Sequence, residues 1–319
     1  MSRETIAGID IGGTKIAVAL ADPNGQILSL SRFPTEVEAG PHRLIDKAIK
    51  EIQRMMEEIE ARLLAVGVGC GGPLDRERGL ILSPPNLPGW DEFPILKIIE
   101  ERLKAPALLD NDANAAALGE HKHGAGRGLK NLVYMTISTG IGGGIIIDGE
   151  ILHGVADGAG EVGHITILPD GPLCRCGERG CLETLCSGTG IARRARERLA
   201  TGAESSMTEH AGGPDRVTAK IVAEAALEGD PLAVEIWDET ISYLAIGIGS
   251  IISILAPQAV ILGGGVSTAG RQLLEPLRRE IQSRVKMLPV EKIKILQAEL
   301  GGDSAIHGAL ILGQRTIAL

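Results

Sequence analysis

A strand-like apolar run broken by a glycine-rich turn that also carries a threonine occurs twice in this chain. The first is TIAGIDIGGTKIAVALADPNGQILSLSRF, with Asp10-Ile11-Gly12-Gly13-Thr14-Lys15 at the break. The second is NLVYMTISTGIGGGIIIDGEILHG, with Ser138-Thr139-Gly140-Ile141-Gly142-Gly143-Gly144. Each break is followed by a further turn, Pro-Asn-Gly or Asp-Gly, so each opening reads as a meander of strands. Such an echo predicts two related α/β halves facing each other across a cleft. The 319 residues suit two domains of roughly 100–200 residues each, and the 43 glycines suit tight turns and close backbone approaches.

The rest of the chain alternates between helical and strand-like patterns. Helices are expected at 43–62, where Leu44, Ile45, Ala48, Ile49, Ile52, Met55, Met56 and Ile59 share a face, at 95–103, and from Asn111 or Asp112 onward. More are expected at 189–199, 216–227, 231–255, 270–285 and 303–313, with strands at LLAVGVG, ALLD, AVILGGG and KIKILQA. The expected division is a smaller N-terminal α/β domain, 1–113 plus 302–319, and a larger one, 114–301, containing an aperiodic Cys/His/Gly segment at 158–183. Residues 241–262 are mostly apolar, but Ser242, Gly247, Gly249, Ser250, Ser253 and Pro257-Gln258 dilute them, so no membrane span is expected. With 32 basic against 41 acidic side chains the net charge is -9, and the aromatics are limited to Phe33, Phe93, Trp90, Trp237, Tyr134 and Tyr243. Nucleic acid is therefore not an expected partner. The N-terminus shows no basic segment leading into an apolar one, and the odd, clustered cysteines suit a reducing compartment, so the cytoplasm is expected.

Several residues can carry chemistry. Gly12 and Gly13 allow backbone N–H groups to approach a phosphate, and Asp10 at the strand end can hold Mg²⁺ through water, although a plain hairpin turn fits these residues equally well. Neither G-x-x-x-x-G-K-[ST] nor G-x-G-x-x-G is present there. The second turn at 138–144 and a third, Gly263-Gly264-Gly265, tip the balance toward a nucleotide held from several sides. Asp112 opens a helix, so it is either a cap or first-turn acid or a general base, and on that feature alone the cap is favoured. His164, Cys174, Cys176 and Cys181 form a complete Cys₃His set, a closed tetrahedral zinc site with a structural role. Glu161 and Glu183 flank its first and last ligands and would be held rigidly as acceptors for vicinal sugar hydroxyls. Cys70 and Cys186 read as small buried hydrophobes.

Taken in order, DIGGTK at 10–15, SPPNLPGW at 83–90, NDANAAALGE at 111–120, STGIGGGI at 138–145, GAGEVGH at 158–164, CRCGERGCLE at 174–183 and LGGGV at 262–266 resemble the ROK family of repressors, open reading frames and kinases, specifically its bacterial glucokinase branch. The resemblance runs nearly end to end. It implies the actin-like ATPase (ribonuclease H-like) fold, two α/β domains closing over ATP and a sugar, and a homodimer or homotetramer. It further implies Asp112 as the base, and Gly72, Asn86, Asn111, Glu161, His164 and Glu183 as sugar contacts. Gly12, Gly13, Thr14 and Lys15 would form the first phosphate turn, Thr139 and Gly140 the second, and Gly264 and Gly265 the turn near the nucleoside, with Asp10 the Mg²⁺ partner. His164 would then use one ring nitrogen for zinc and the other for a sugar hydroxyl. The implied reaction is transfer from ATP to the 6-hydroxyl of glucose, with mannose, fructose, N-acetylmannosamine or N-acetylglucosamine as other acceptors and polyphosphate as another donor. Family repressors carry an N-terminal helix-turn-helix, for which DIGGT starting at Asp10 is expected to leave no room. A sensor without catalysis would not need the complete phosphate turns, nor an actin-like filament the zinc and sugar residues.

Overall fold

The first strand sets how its sheet is covered. In β1 (Arg3–Ile11), Ala7, Ile9 and Ile11 point to one face, while Ile6, Gly8 and Asp10 point to the other. β2 (Lys15–Ala21) repeats the split, with Ile16, Val18 and Leu20 against Ala17, Ala19 and Ala21. The chain continues through β3 (Ile27–Pro34), α1 (Gly40–Glu58), β4 (Ala61–Cys70), the short pair β5 (Leu74–Asp75) and β6 (Leu80–Ile81), α2 (Ile95–Leu103), β7 (Ala107–Asn111) and α3 (Asp112–His123). These strands form a sheet in the order β3-β2-β1-β4-β7, antiparallel within the meander and parallel from β1 to β4 to β7. The branched face is covered by Leu44, Ile45, Ile49, Ile52 and Met55 of α1 and by Ile95 and Ile99 of α2.

This computed structural model describes residues 2–318. After α3 come β8 (Leu132–Ile137), β9 (Ile141–Ile147), β10 (Glu150–Ile151), α4 (Leu182–Cys186), α5 (Gly188–Ala200), α6 (Met207–Ala211), α7 (Ala219–Leu227) and α8 (Pro231–Leu255). They are followed by β11 (Ala259–Gly263), α9 (Arg271–Arg284), β12 (Lys294–Gln297) and α10 (Ser304–Ala318). The second sheet runs β10-β9-β8-β11-β12, with β8, β11 and β12 parallel. Its order repeats the first sheet strand for strand, which is the topological form of the repeat read in the sequence.

The small-residue face of the first sheet is covered by α10, through Ile306, Ala309 and Leu310. The fit leaves no space for a side chain on the glycines that meet it. A Cβ on Gly67 would lie 1.8 Å from the Ala309 carbonyl oxygen, and one on Gly308 would lie 1.6 Å from that of Ala115 in α3. Because both obstacles are backbone, no rotamer change relieves them. Gly308→Ala is expected to destabilise the protein by about 3 kcal/mol or more, the upper end of overpacking effects, seen as a lower denaturant midpoint at unchanged m.

Packing divides the chain into two compact units, Met1–Gly128 with Gly144–Ala159 and Gly302–Leu319, and Leu129–Gly143 with Gly160–Gly301. These limits differ from the expected break at 113/114. The reason is that α3 packs against α10, where a Cβ on Gly119 would be 2.2 Å from the Ser304 carbonyl oxygen, and that Gly144 rests on Ala113 and Ala117 of α3. Helix ends also shift. α1 ends at Glu58 and residues 61–62 already belong to β4, α7 starts only after its N-cap Thr218, which accepts from Ile221 N–H, and α10 runs to Ala318. Among the described residues α8 alone is long and apolar enough to cross a membrane, yet half of its most apolar window is buried. Ile236, Ile241, Leu244, Ile248 and Ile252 are buried and make it a core helix of the second unit.

Candidate functional site

Where β1 gives way to β2, the Gly12 N–H donates to the Lys15 carbonyl at 3.0 Å. Thr35 fastens this turn from β3's side, its hydroxyl donating to the Gly12 carbonyl at 2.7 Å and its N–H to the Thr14 carbonyl at 3.0 Å. Gly13 rests on Asn86, where a Cβ would stand 3.0 Å from the Asn86 Cβ. Gly13, Thr14, Lys15 and Asn86 are exposed, whereas Asp10, just ahead of the turn, is only 8% exposed. Burial, then the charge of Asp112, push the Asp10 carboxyl up to about 7; Lys15 opposes this and Asp303 adds to it.

The sign of that shift gives a prediction. A carboxyl raised from 3.8 to about 7 contributes stability that is full below 3.8 and lost as pH rises through 7, because the folded state must then bury a charge. Asp10→Asn is expected to stabilise the ligand-free protein at pH 8 by an amount on the order of a few kcal/mol, seen as a higher melting midpoint, and much less near pH 4. A pair of thermal scans at those two pH values checks it.

At the next strand end, Asn111 holds an extended backbone (φ -62, ψ 144) and its side chain accepts from Ala113 N–H at 2.8 Å. Asn111 is therefore the N-cap of α3, and Asp112 is its first helical residue, favoured there by the helix dipole. Asp112 is half-buried and also accepts from Ala113 N–H, at 2.8 Å. The glycines of β4 and the turn after it make room for this corner. A Cβ on Gly69 would be 3.8 Å from the Asp112 Cα and 4.0 Å from Asp10 Oδ1, one on Gly71 3.9 Å from Asp112 Oδ2, and one on Gly72 3.4 Å from Asn111 Nδ2. The first unit thus gathers Asp10, Gly72, Asn111 and Asp112 around one strand edge, with the Gly12-Gly13 turn and Asn86 beside it.

In the second unit the ligand atoms of His164, Cys174, Cys176 and Cys181 all lie within 4.8 Å of one another. Cys174 Sγ is 3.6 Å from His164 Nδ1, and Cys176 Sγ is 3.6 Å from Cys181 Sγ. Tetrahedral zinc with bonds of about 2.0–2.3 Å requires ligand spacings of about 3.5–3.8 Å, so the set fits the ion. Left as thiols the two buried cysteines are costly to ionise, since burial pushes Cys174 up and Cys181 up to about 12, and a divalent cation is what removes that cost. With Nδ1 turned to the sulfurs, Nε2 of His164 is left 3.7 Å from Glu161 Oε2, and Glu161 itself is exposed. Glu183 is anchored differently from Glu161, because its Oε2 accepts from Ile141 N–H at 2.8 Å and so ties the Cys₃His segment to the second glycine-rich turn.

The second and third glycine turns lie side by side, since β8 and β11 are paired with Thr136 opposite Gly263. Gly264 adopts φ +81, and a Cβ there would be 2.4 Å from the Ile137 carbonyl oxygen, so the turns approach as only glycine permits. Beside them opens a cavity of about 710 Å³ whose lining includes Ser138, Thr139, Gly188, Thr189, Arg196, Lys220, Glu224, Trp237, Gly265, Thr268 and Gln272. Gly188 N–H donates to the Ser138 carbonyl at 2.6 Å and the Thr189 hydroxyl to the Thr139 carbonyl at 2.7 Å, which pins the turn to the start of α5. The volume suits a nucleoside.

The family model described as the ROK family matches residues 6–316. The chain belongs to the ROK family. Its fold is accordingly the actin-like ATPase fold, with the Cys₃His cluster suited to a structural zinc. Among curated ROK relatives it is 38% identical over 310 residues to the glucokinase of Thermotoga maritima, covering 97% of each chain. Among solved structures it is similar to the ROK hexokinase of Thermus thermophilus (TM-score 0.83, 36% identity, 98% of this chain and 99% of that one). A ROK family glucokinase from Streptomyces griseus, solved in complex with glucose and AMPPNP, is similar at TM-score 0.80 and 34% identity, again over 98% and 99% of the two chains.

Within this ROK chain the cavity takes in Thr139 and Gly265 of the expected nucleotide residues. Thr189, Arg196, Lys220, Glu224, Trp237 and Gln272 were not legible as site residues, because they come from α5, α7, α8 and α9 with no motif among them.

Proposed function

We propose that this ROK chain transfers the γ-phosphoryl group of ATP to the 6-hydroxyl of glucose. The observation that carries the reading is Asp112, held at the first position of α3 by the Asn111 cap, with the Asp10 strand end as its neighbour. A carboxylate so placed can accept a hydroxyl proton, while the rest of the rate comes from positioning and neutralisation of charge. Asn86, Asn111, Glu161, the Nε2 atom of His164 and Glu183 take sugar hydroxyls, and the backbone at Gly72 leaves room beside Asn111. Gly12, Gly13, Thr14 and Lys15, together with Thr139 and Gly140, meet the phosphates. The cavity beside Gly264 and Gly265 takes the nucleoside.

Asp10, Asp112 and Asp303 crowd negative charge against Lys15, a hard-oxygen donor set that fits Mg²⁺, with Asp10 its partner. Bound with the nucleotide, that ion would neutralise charge on the transferring phosphoryl group. Zinc on the Cys₃His set holds the Glu161–Glu183 segment in shape. All five cysteines are unpaired thiols, which favours the cytoplasm, and a homodimer or homotetramer is the proposed assembly.

The test is a coupled ADP-release assay with glucose, mannose, fructose, N-acetylmannosamine and N-acetylglucosamine, with ATP and polyphosphate as alternative donors. Selective turnover of glucose with ATP is expected. Turnover of a different sugar moves the specificity, and turnover of none removes the kinase reading.

A further inference from the structure

We propose that Asp110, gripped by His153 and Arg76, is a positioning residue for the sugar half of the reaction; the inference rests on the kinase reading above. Asp110 is the residue before Asn111 in β7, and it is 1% exposed. A carboxylate buried to that degree must be met by donors. Its Oδ1 accepts from the Asn111 N–H at 2.8 Å and from Asn114 Nδ2 at 2.9 Å, and its Oδ2 lies 2.9 Å from His153 Nε2, which therefore donates. Arg76 Nε stands 3.6 Å from Oδ1 and donates to the Leu109 carbonyl at 3.3 Å. The far side of the same guanidinium pairs with Asp157, Nη1 to Oδ1 at 3.0 Å.

Two effects follow from this one buried carboxylate. Its bonds to the Asn111 N–H and to the Asn114 side chain fix the strand-to-helix corner from inside, and so fix the direction in which Asn111 and Asp112 present their side chains. Its bond to His153 and the Arg76 link to Asp157 hold the segment after β10, which runs on in sequence to Glu161. That segment is under backbone strain: Ala156 and Asp157 sit at φ 51 and 57, left-handed values that non-glycine residues rarely adopt twice in succession. Such strain persists where the surroundings over-determine it, and Arg76 supplies the hold. None of these four residues touches the reacting groups; they act through Asn111, Asp112 and the approach to Glu161.

The experiment compares His153→Leu, which removes the donor, with His153→Gln, which returns an N–H at similar reach. Sugar KM, ATP KM and kcat are measured, together with glucose binding by calorimetry without nucleotide and the melting midpoint. The Leu variant is expected to raise sugar KM and calorimetric Kd by at least about tenfold, with ATP KM changed less than about twofold, and Gln is expected to recover most of the loss. Equal changes in both KM values, no change, or a Gln variant as impaired as Leu would overturn the proposal, since a merely structural role moves the midpoint without favouring one substrate. If His153→Leu does not fold, Arg76→Lys decides: a sugar-selective KM rise supports the proposal and an unchanged sugar KM refutes it. Should the wild type turn over no hexose, the kinase reading fails by itself, and calorimetric sugar binding still reads the effect of His153.

Discussion

Asp112→Asn is expected to bind glucose and ATP with near-unchanged affinity and to turn over about 10²–10⁴-fold more slowly, the range for loss of a general base. The substitution separates chemistry from architecture. α3 keeps its cap, because the capping oxygen belongs to Asn111, and an asparagine at 112 still offers an oxygen to the Ala113 N–H. The variant also removes the largest neighbouring charge that raises Asp10, so the Asp10 carboxyl should titrate lower and the ligand-free protein should lose less stability as pH rises to 8. Calorimetry for the two ligands, steady-state kinetics and a pH series of melting scans read these effects independently. A rate within about tenfold of wild type would remove Asp112 as the base.

The second large effect is expected at the Cys₃His cluster. Chelation, or Cys176→Ser at the exposed ligand, should loosen the whole stretch from His164 to Glu183, since Cys174 and Cys181 are buried and pull Leu182 and the start of α4 inward with them. Loss of an outer support of this kind typically costs 10–100-fold in binding or activity. The change should fall on sugar KM, through Glu161 and the His164 ring. Because Glu183 is bonded to the Ile141 N–H, a smaller rise in ATP KM should accompany it through the second glycine turn. Metal analysis, kinetics before and after chelation, and restoration by added Zn²⁺ check the prediction; metal-free protein with unchanged kinetics would refute it.

Local patterns made much of this molecule legible. Alternation around each glycine turn marked the opening strands of both sheets, and three cysteines and a histidine at short spacing marked the metal-ligand cluster, because such features are written in nearby residues. The cap at Asn111 was less so: Asn and Asp are both good N-caps, and only the extended backbone at 111 decides between them. The packing boundary falls after α3 rather than at 113/114, because the partner helix of α3 lies almost two hundred residues further along and meets it through Gly308 and Gly119. Asp110 and His153 were invisible as a pair. A buried carboxylate in a strand and a histidine after a hairpin carry no joint signature until the fold brings them to 2.9 Å. The cavity beside the second and third glycine turns likewise takes most of its lining from four helices, none of which carries a motif of its own.

The seating of α10 on β1 and β4 also bears on how the chain is made. Its helix supplies Ile306, Ala309 and Leu310 to a face formed by residues near the start of the chain. A ribosome reaches those residues only after it has produced everything from 129 to 301. Until then the alanine and glycine face of the first sheet lacks its α10 cover, whereas the stretch from 160 to 301 already carries most of its own unit. Synthesis from the N-terminus thus leaves the earliest strands waiting for the latest helix, and a chaperone that shields an apolar sheet face would have its longest opportunity there.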